Sequence, residues 1–233
     1  MNARTDLFLD KYRELEVLVA TVYNLPPSAS AVVYLLQRKE FRGVKSDLEL
    51  CKDVRNLLSH NPKINGRYAV EPSEELIALL ERTIERVKNP LLARHIWVPK
   101  EKVCYRTMED AVRPAMLDMI QNAYSHIPIL KNGVVAGVFS ENILLRYMVD
   151  SACSRMDDNM KFSYMDGYLP LQNHETEFFR FVGRDTPVAE IEDIFAAAQK
   201  EPKRLGLVFV THSGQPTEKL LGIISAWDMA GVD

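Results

Sequence analysis

The sequence predicts an α+β chain: an N-terminal four-helix bundle, then a pseudo-two-fold pair of small strand–helix units. Three observations predict it. Residues 1–90 carry helical periodicity. Residues 91–233 alternate short β-branched runs with short helical patterns. One tetrapeptide pattern then occurs twice in the second part, as Gly137-Val138-Phe139-Ser140 and as Gly222-Ile223-Ile224-Ser225. A length of 233 residues suits one large or two small domains, each able to bury a core. With 47% hydrophobic and 26% charged residues the chain is neither disordered nor fibrous.

In the first part, apolar residues at Leu7, Phe8, Tyr12, Leu15, Val19 and Val22 predict a helix over 6–23. Asn24-Leu25-Pro26-Pro27 stops it, and Ser28 or Ser30 caps a second helix running to about Phe41, with Gly43 ending it. A third begins near Ser46, with Glu49 completing a capping box, and turns Leu48, Cys51, Val54 and Leu58 inward. Asn61-Pro62 ends it. Pro72-Ser73-Glu74-Glu75 opens a fourth, with Leu76, Ile77, Leu80, Ile84 and Val87 as its stripe. Four helices with short joints predict a bundle, and Asn89-Pro90 marks its boundary.

In the second part, one repeat covers about 95–150 and the other about 178–232. The first runs as a helix with Pro114 in its opening turn, a strand at Ser125–Leu130, a Lys131-Asn132-Gly133 turn, a return strand at 134–139 and a helix from Ser140. The second runs as a helix from Thr186-Pro187, a strand at Leu207–Val210, a loop from Thr211 to Lys219, a return strand at Leu220–Ile224 and a helix opened by Ser225. The stretch 150–180 between them reads as irregular.

The net charge of −3 gives no global attraction to nucleic acid or to an anionic membrane. The charge is uneven, however: residues 38–67 hold eight Lys and Arg against four Asp and Glu. No apolar run approaches the ~18 residues of a membrane helix, and the N-terminus, charged from Arg4 onward, lacks a signal-peptide core. Three widely spaced cysteines (Cys51, Cys104 and Cys153) form neither a disulfide framework nor a zinc site. Together these features predict a cytoplasmic protein.

The repeat, with Ser125-His126-Ile127-Pro128-Ile129, the two Gly-apolar-apolar-Ser elements and Asp228, resembles a tandem pair of CBS domains, the Bateman module. The resemblance covers about residues 95–232. The nucleotide motif of that family continues from the serine through two residues to Asp or Asn. At a strand-to-helix junction, free N–H groups and the helix dipole favour a phosphate. A carboxylate one turn on can accept from both ribose hydroxyls. The resemblance implies an adenine nucleotide (AMP, ADP or ATP) as regulatory ligand, with Thr186, Ser225, Asp228 and Ser140 as ligand-binding residues and no metal. Ser225 and Asp228 fit the spacing; after Ser140 the third residue is Ile143, and Asn142 falls one short. The same serines also suit plain helix N-caps, and Asp228 suits a first-turn acid.

Near the end of the third helix, Arg55-Asn56-Leu57-Leu58-Ser59-His60 resembles the motif of the HEPN family. That resemblance covers residues 1–88 and implies a homodimer whose paired motifs cleave RNA without metal. The residue types suit the chemistry. His60 can serve as base or acid near neutral pH, Arg55 can hold the phosphate, and Asn56, four residues before His60, can orient the imidazole. Lys52, Lys63 and Arg67 would contact the RNA backbone. Arg55 and His60, five apart, diverge by about 140° on an ideal helix, so a partner chain would have to close the gap. The other reading pairs Arg55 with Asp47 or Asp53.

The expectation is a nucleotide-sensing protein whose CBS-like pair regulates a dimeric HEPN-like RNA-binding or ribonuclease part. The alternative is a non-catalytic regulatory or scaffold protein whose bundle only dimerises or docks a partner. His126 reads as structural, and His95, His174 and His212 lack partners at metal spacing. No required cofactor and no membrane partner are expected.

Overall fold

A computed structural model describes residues 3–27, 29–60, 68, 70–151 and 157–230. The chain divides into two compact units, Met1–Leu91 and Leu92–Asp233. The mixture of helix and strand is that of an α+β protein.

The first unit contains helices α1 (Ala3–Val22), α2 (Ala31–Gln37), α3 (Lys45–His60) and α4 (Glu74–Lys88). Phe8, Leu15, Leu35, Phe41, Leu48 and Leu80 are buried in one core. Ser30 and Ser73 cap α2 and α4, accepting from the N–H groups of Val33 and Leu76. Ser28 and Asn61-Pro62, the other expected helix signals, lie outside the described residues.

Three expectations need correction here. The second helix stops at Gln37 instead of Phe41, because Arg38 adopts an extended backbone (φ −84°, ψ 134°). A 3₁₀ helix, Lys39–Val44, then runs straight into α3, so Ser46 lies within α3 and does not cap it. The break is held by Arg38, whose guanidinium lies over the Tyr23 and Tyr34 rings and pairs with Glu40. It also brings Phe41 into the core. The stripe expected on α1 is narrower too, since Leu7 and Val22 stay exposed.

In the second unit the chain order is α5 (Ala93–Ile96), β1 (Val98–Pro99), α6 (Val112–Asn122), β2 (His126–Lys131), β3 (Val134–Ser140), α7 (Glu141–Asp150), β4 (Glu177–Gly183), α8 (Val188–Ala198), β5 (Arg204–Thr211), β6 (Gly222–Ile224) and α9 (Ala226–Ala230). β2 and β3 form an antiparallel hairpin; Asn132 (φ 54°) and Gly133 (φ 84°) supply the two positive φ angles of its two-residue turn. The other sheet has the order β1-β6-β5-β4, with β4 parallel to β5. The two sheets pack through Leu130, Val138, Phe179, Leu207, Phe209 and Leu220.

β4 begins within the stretch 150–180 expected to be irregular and runs on to Gly183. Its exposure pattern explains the miss: the charged Glu177 occupies a buried position, where an apolar residue would have marked a strand.

The repeats trade their edges. Segment 98–100 leads into the first repeat but pairs with β6 of the second, and Lys100 N–H donates to Leu221 O. Leu169 leads into the second repeat, but its carbonyl accepts from Val138 N–H of β3 in the first. The repeated glycines make room for this exchange. A Cβ on Gly137 would lie 2.4 Å from Leu169 O, and one on Gly222 would lie 2.7 Å from Val98 O.

Candidate ligand site and candidate catalytic helix

The strand registers place the ligand candidates. Ser225 follows Ile224 at the end of β6, and Ile224 lies opposite Val208. Both its N–H and its hydroxyl donate to Asp228 Oδ2, each at 2.7 Å. Sequence spacing thus does bring Ser225 and Asp228 together, in the geometry of a helix cap. Among the described residues Asp228 Oδ1 has no hydrogen-bond partner, so it is open to a hydroxyl donor. Both residues are half-buried, and between them Trp227 stands 88% exposed.

Thr186 is not brought to this pair. It follows β4 three residues after Gly183, which pairs with Thr211. Ser225 lies beyond the Val208 end of the same sheet. Three residues of strand, about 10 Å, separate the two levels. The Thr186 backbone instead closes a turn onto Gly183 O and accepts from Ala93 N–H.

Ser140 is the equivalent of Ser225 in the first repeat, but it is 2% exposed and caps α7 through Ile143 N–H. Asn142, itself exposed, donates to the buried Glu177 Oε1 at 3.0 Å. The first repeat therefore presents no open serine–carboxylate pair, which fits the missing acid after Ser140. A cavity of about 590 Å³ in that repeat lies at the opposite, turn end of its hairpin, lined by Thr107, Leu130, Lys131, Asp166 and Leu169.

In the helical unit, Arg55 faces α1. Its guanidinium lies 5.6 Å from the Tyr12 ring centroid and pairs with Glu16 at 3.6 Å. The expected alternative partners, Asp47 and Asp53, are not the ones it takes. Burial, helped by the Glu16 carboxylate, pushes the Tyr12 hydroxyl well above the usual phenol range. Asn56 accepts from Arg55 Nη1 at 3.3 Å, so the structure joins these two candidates. His60 is the exposed last residue of α3, with no hydrogen bond or ion pair among the described residues. Asn56 does not reach it. Lys52 is half-buried on the same helix, while Lys63 and Arg67 lie outside the described residues.

Among the described residues no group of three or more His, Cys, Asp or Glu side chains can hold a metal ion, and no helix is long and apolar enough to cross a membrane. Cys51 and Cys104 are free; Cys153 lies outside the described residues. Sequence reasoning missed Glu177 and gave His174 no partner; both are 2% exposed and lie three residues apart, with His174 Nδ1 3.5 Å from Glu177 Oε2.

No family model matches the sequence, and no curated protein matches it. Solved structures are similar to part of the chain, and the descriptions of some of them name CBS domains. A haemolysin-like protein containing a CBS domain from Oenococcus oeni PSU is 16% identical, with 64% of this chain and 93% of that one covered at a TM-score of 0.40. The CBS domains of a transcriptional regulator from Streptococcus pneumoniae are 20% identical, covering 61% and 98% at 0.41. CbpB in complex with c-di-AMP is 14% identical, covering 66% and 90% at 0.48. Likeness of this degree transfers neither a ligand nor a site residue to this chain.

Proposed function

We propose that residues 92–233 are a CBS-domain pair that senses an adenine nucleotide, and that residues 1–91 are a HEPN-like bundle it regulates. One observation carries the first half. The Gly-apolar-apolar-Ser element closes both repeats in the same β–α frame, and only the second copy leaves its serine accessible with a carboxylate beside it. The ligand site is Ser225 and Asp228. Asp228 Oδ1 accepts from a ribose hydroxyl, and Ser225 lies where the sheet gives way to α9. Thr186, at the other end of its sheet, is left out of this site.

The second half rests on the four-helix unit and on the Arg55-Asn56…His60 string near the end of α3. Exposed His60 acts as the acid or base in metal-independent RNA cleavage, with Arg55 and Asn56 of a partner copy completing the site. The homodimer this needs is also suggested by the apolar side chains left exposed on α6 and α7: Leu117, Ile120, Leu145 and Val149.

A specific observation favours a second reading. Arg55 is engaged by Glu16 and Tyr12, as in a helix-packing residue, and it diverges from His60. On that reading the bundle dimerises or docks a partner and cleaves nothing.

Titration of AMP, ADP and ATP into the chain and into Asp228→Ala tests the ligand site. Affinity that survives the substitution refutes it. Cleavage of a labelled unstructured RNA in EDTA, with and without nucleotide, by wild type and His60→Ala tests the output. Cutting that vanishes in the variant while the dimer persists supports the ribonuclease; no cutting under any nucleotide leaves the scaffold.

A further inference from the structure

At the turn end of the β2–β3 hairpin, lysines from three segments meet. Lys131 ends β2 and pairs with Val134 of β3, and Val134 in turn bridges to Lys219, which precedes β6. Residues paired across antiparallel strands share a face, so Lys131, Val134 and Lys219 form one row. Lys100, which follows β1, reaches the same turn: a Cβ on Gly133 would lie 3.5 Å from Lys219 Cγ and 3.8 Å from Lys100 Nζ. The Lys100 ammonium lies 5.7 Å from the Tyr105 ring centroid, a contact that helps to place it. The row crosses both repeats, because Lys131 belongs to the first and Lys219 to the second.

No carboxylate pairs with this group. Among the described residues the side chains of Lys100, Lys131 and Lys219 have no ion pair and no hydrogen bond. Two nearby acids are engaged elsewhere: Glu218 takes both the N–H and the hydroxyl of Ser213, and Glu109 pairs with Lys161 at 2.9 Å. Like charges gathered on one face repel, and here the fold supplies nothing to offset them.

The lysines stand beside the cavity at this end of the hairpin. Its volume of about 590 Å³ lies within the roughly 300–1,000 Å³ of small-molecule pockets, and Lys131 and Asn132 form part of its wall. Met108, Leu130, Leu169 and Pro170 give it apolar surface. Asp166 also lines it and has no ion pair among the described residues, so a second anionic group would be repelled there. What suits this combination is a small apolar body charged at one end only. A phosphate monoester carries about two negative charges near pH 7 and three acceptor oxygens, which match several ammonium groups better than a carboxylate does.

We propose that the C-terminal unit has a second ligand site here, for a phosphate monoester of small-molecule size: Lys131, Lys219 and Lys100 hold the phosphate, and the organic part enters the cavity. The bound phosphate ties the two repeats together where Lys219 meets β3. This site is independent of the Ser225–Asp228 pair, since Lys219 precedes β6 and Ser225 follows it.

The test is an NMR titration of the full chain, without nucleotide, using phenyl phosphate and inorganic phosphate as probes. The amides of Asn132, Gly133, Ala136 and Leu169 are read in wild type, in the double variant Lys131→Ala, Lys219→Ala, and in Asp228→Ala. Lys131 and Lys219 are exposed, so the double variant should fold as wild type does. Phenyl phosphate should shift these amides and bind about tenfold more tightly than inorganic phosphate. The double variant should weaken it by about tenfold or more, and Asp228→Ala should leave it unchanged. Amides that do not move refute the site. So does equal affinity for the two probes, which leaves the cavity without a role, or a double variant that binds as wild type does. Binding lost in Asp228→Ala would assign the phosphate to the nucleotide site instead and overturn a second one.

Discussion

Replacing Gly137 with Ala puts a methyl group where the backbone of Leu169 already lies. The added Cβ would be 2.4 Å from the Leu169 oxygen, 2.7 Å from its carbonyl carbon and 2.9 Å from its Cβ. Two of these three atoms are backbone, so relief requires the traded segment to move away from β3. That movement breaks the Val138 N–H bond to Leu169 O, now 2.9 Å. Overpacking costs about 1–3 kcal/mol and the lost hydrogen bond about 0.5–1.5 kcal/mol, so a loss of about 2–4 kcal/mol is expected. In a unit of this size that lowers the midpoint by roughly 6–16 °C. Gly167→Ala is the control, because a Cβ there meets nothing within 4 Å. Thermal unfolding gives the midpoints, and amide exchange at Val138 shows whether the bond itself is lost. A Gly137→Ala protein as stable as the control, with the Val138 amide still protected, would refute the close-approach account of the repeated glycine.

Other expectations follow from single sites. Cys51 is fully buried, and burial, with Asp47 nearby, pushes its thiol up to about 12; alkylation at pH 8 followed by mass spectrometry should find it unlabelled in the native protein, and labelling as fast as in denaturant would contradict its placement. Ser213 donates both its N–H and its hydroxyl to Glu218, which lowers that carboxyl to about 2. The stabilisation is therefore complete above about pH 4.5 and lost as pH falls towards 2, so the Ser213 amide shift should titrate near pH 2; a midpoint near the ordinary carboxylate value would dissolve the contact. Arg55→Ala should cost about 0.5–1 kcal/mol in urea unfolding, since the Glu16 pair is about a third exposed and the ring contact is modest. A double-mutant cycle with Glu16→Ala showing no coupling would remove that pair from the account.

What could be read from sequence was local. Asn132-Gly133 specifies its turn because both residues accept positive φ, and Ser30 and Ser73 cap helices through groups three residues away. The Ser225–Asp228 spacing was legible for the same reason. What failed depends on distant partners. Arg38 ends α2 in contact with Tyr23, from the preceding helix–turn. Arg55 takes Glu16, from another helix, over its near neighbours Asp47 and Asp53. The resemblance groups Thr186 with Ser225, whereas strand register sets the two at different levels of one sheet. The repeated glycines were visible as a pattern, but their cause, a carbonyl from 32 residues further on in one case, was not.

The traded edges make the C-terminal unit a clasp. Each repeat lacks one border that only the other supplies, so either repeat produced alone would present an unpaired strand edge, a template for association. Two fragments divided between the repeats should instead find each other and close, as complementing halves. A chain that has duplicated a unit in this way has also given up the option of separating the copies: insertions between them are tolerable, but shedding one is not.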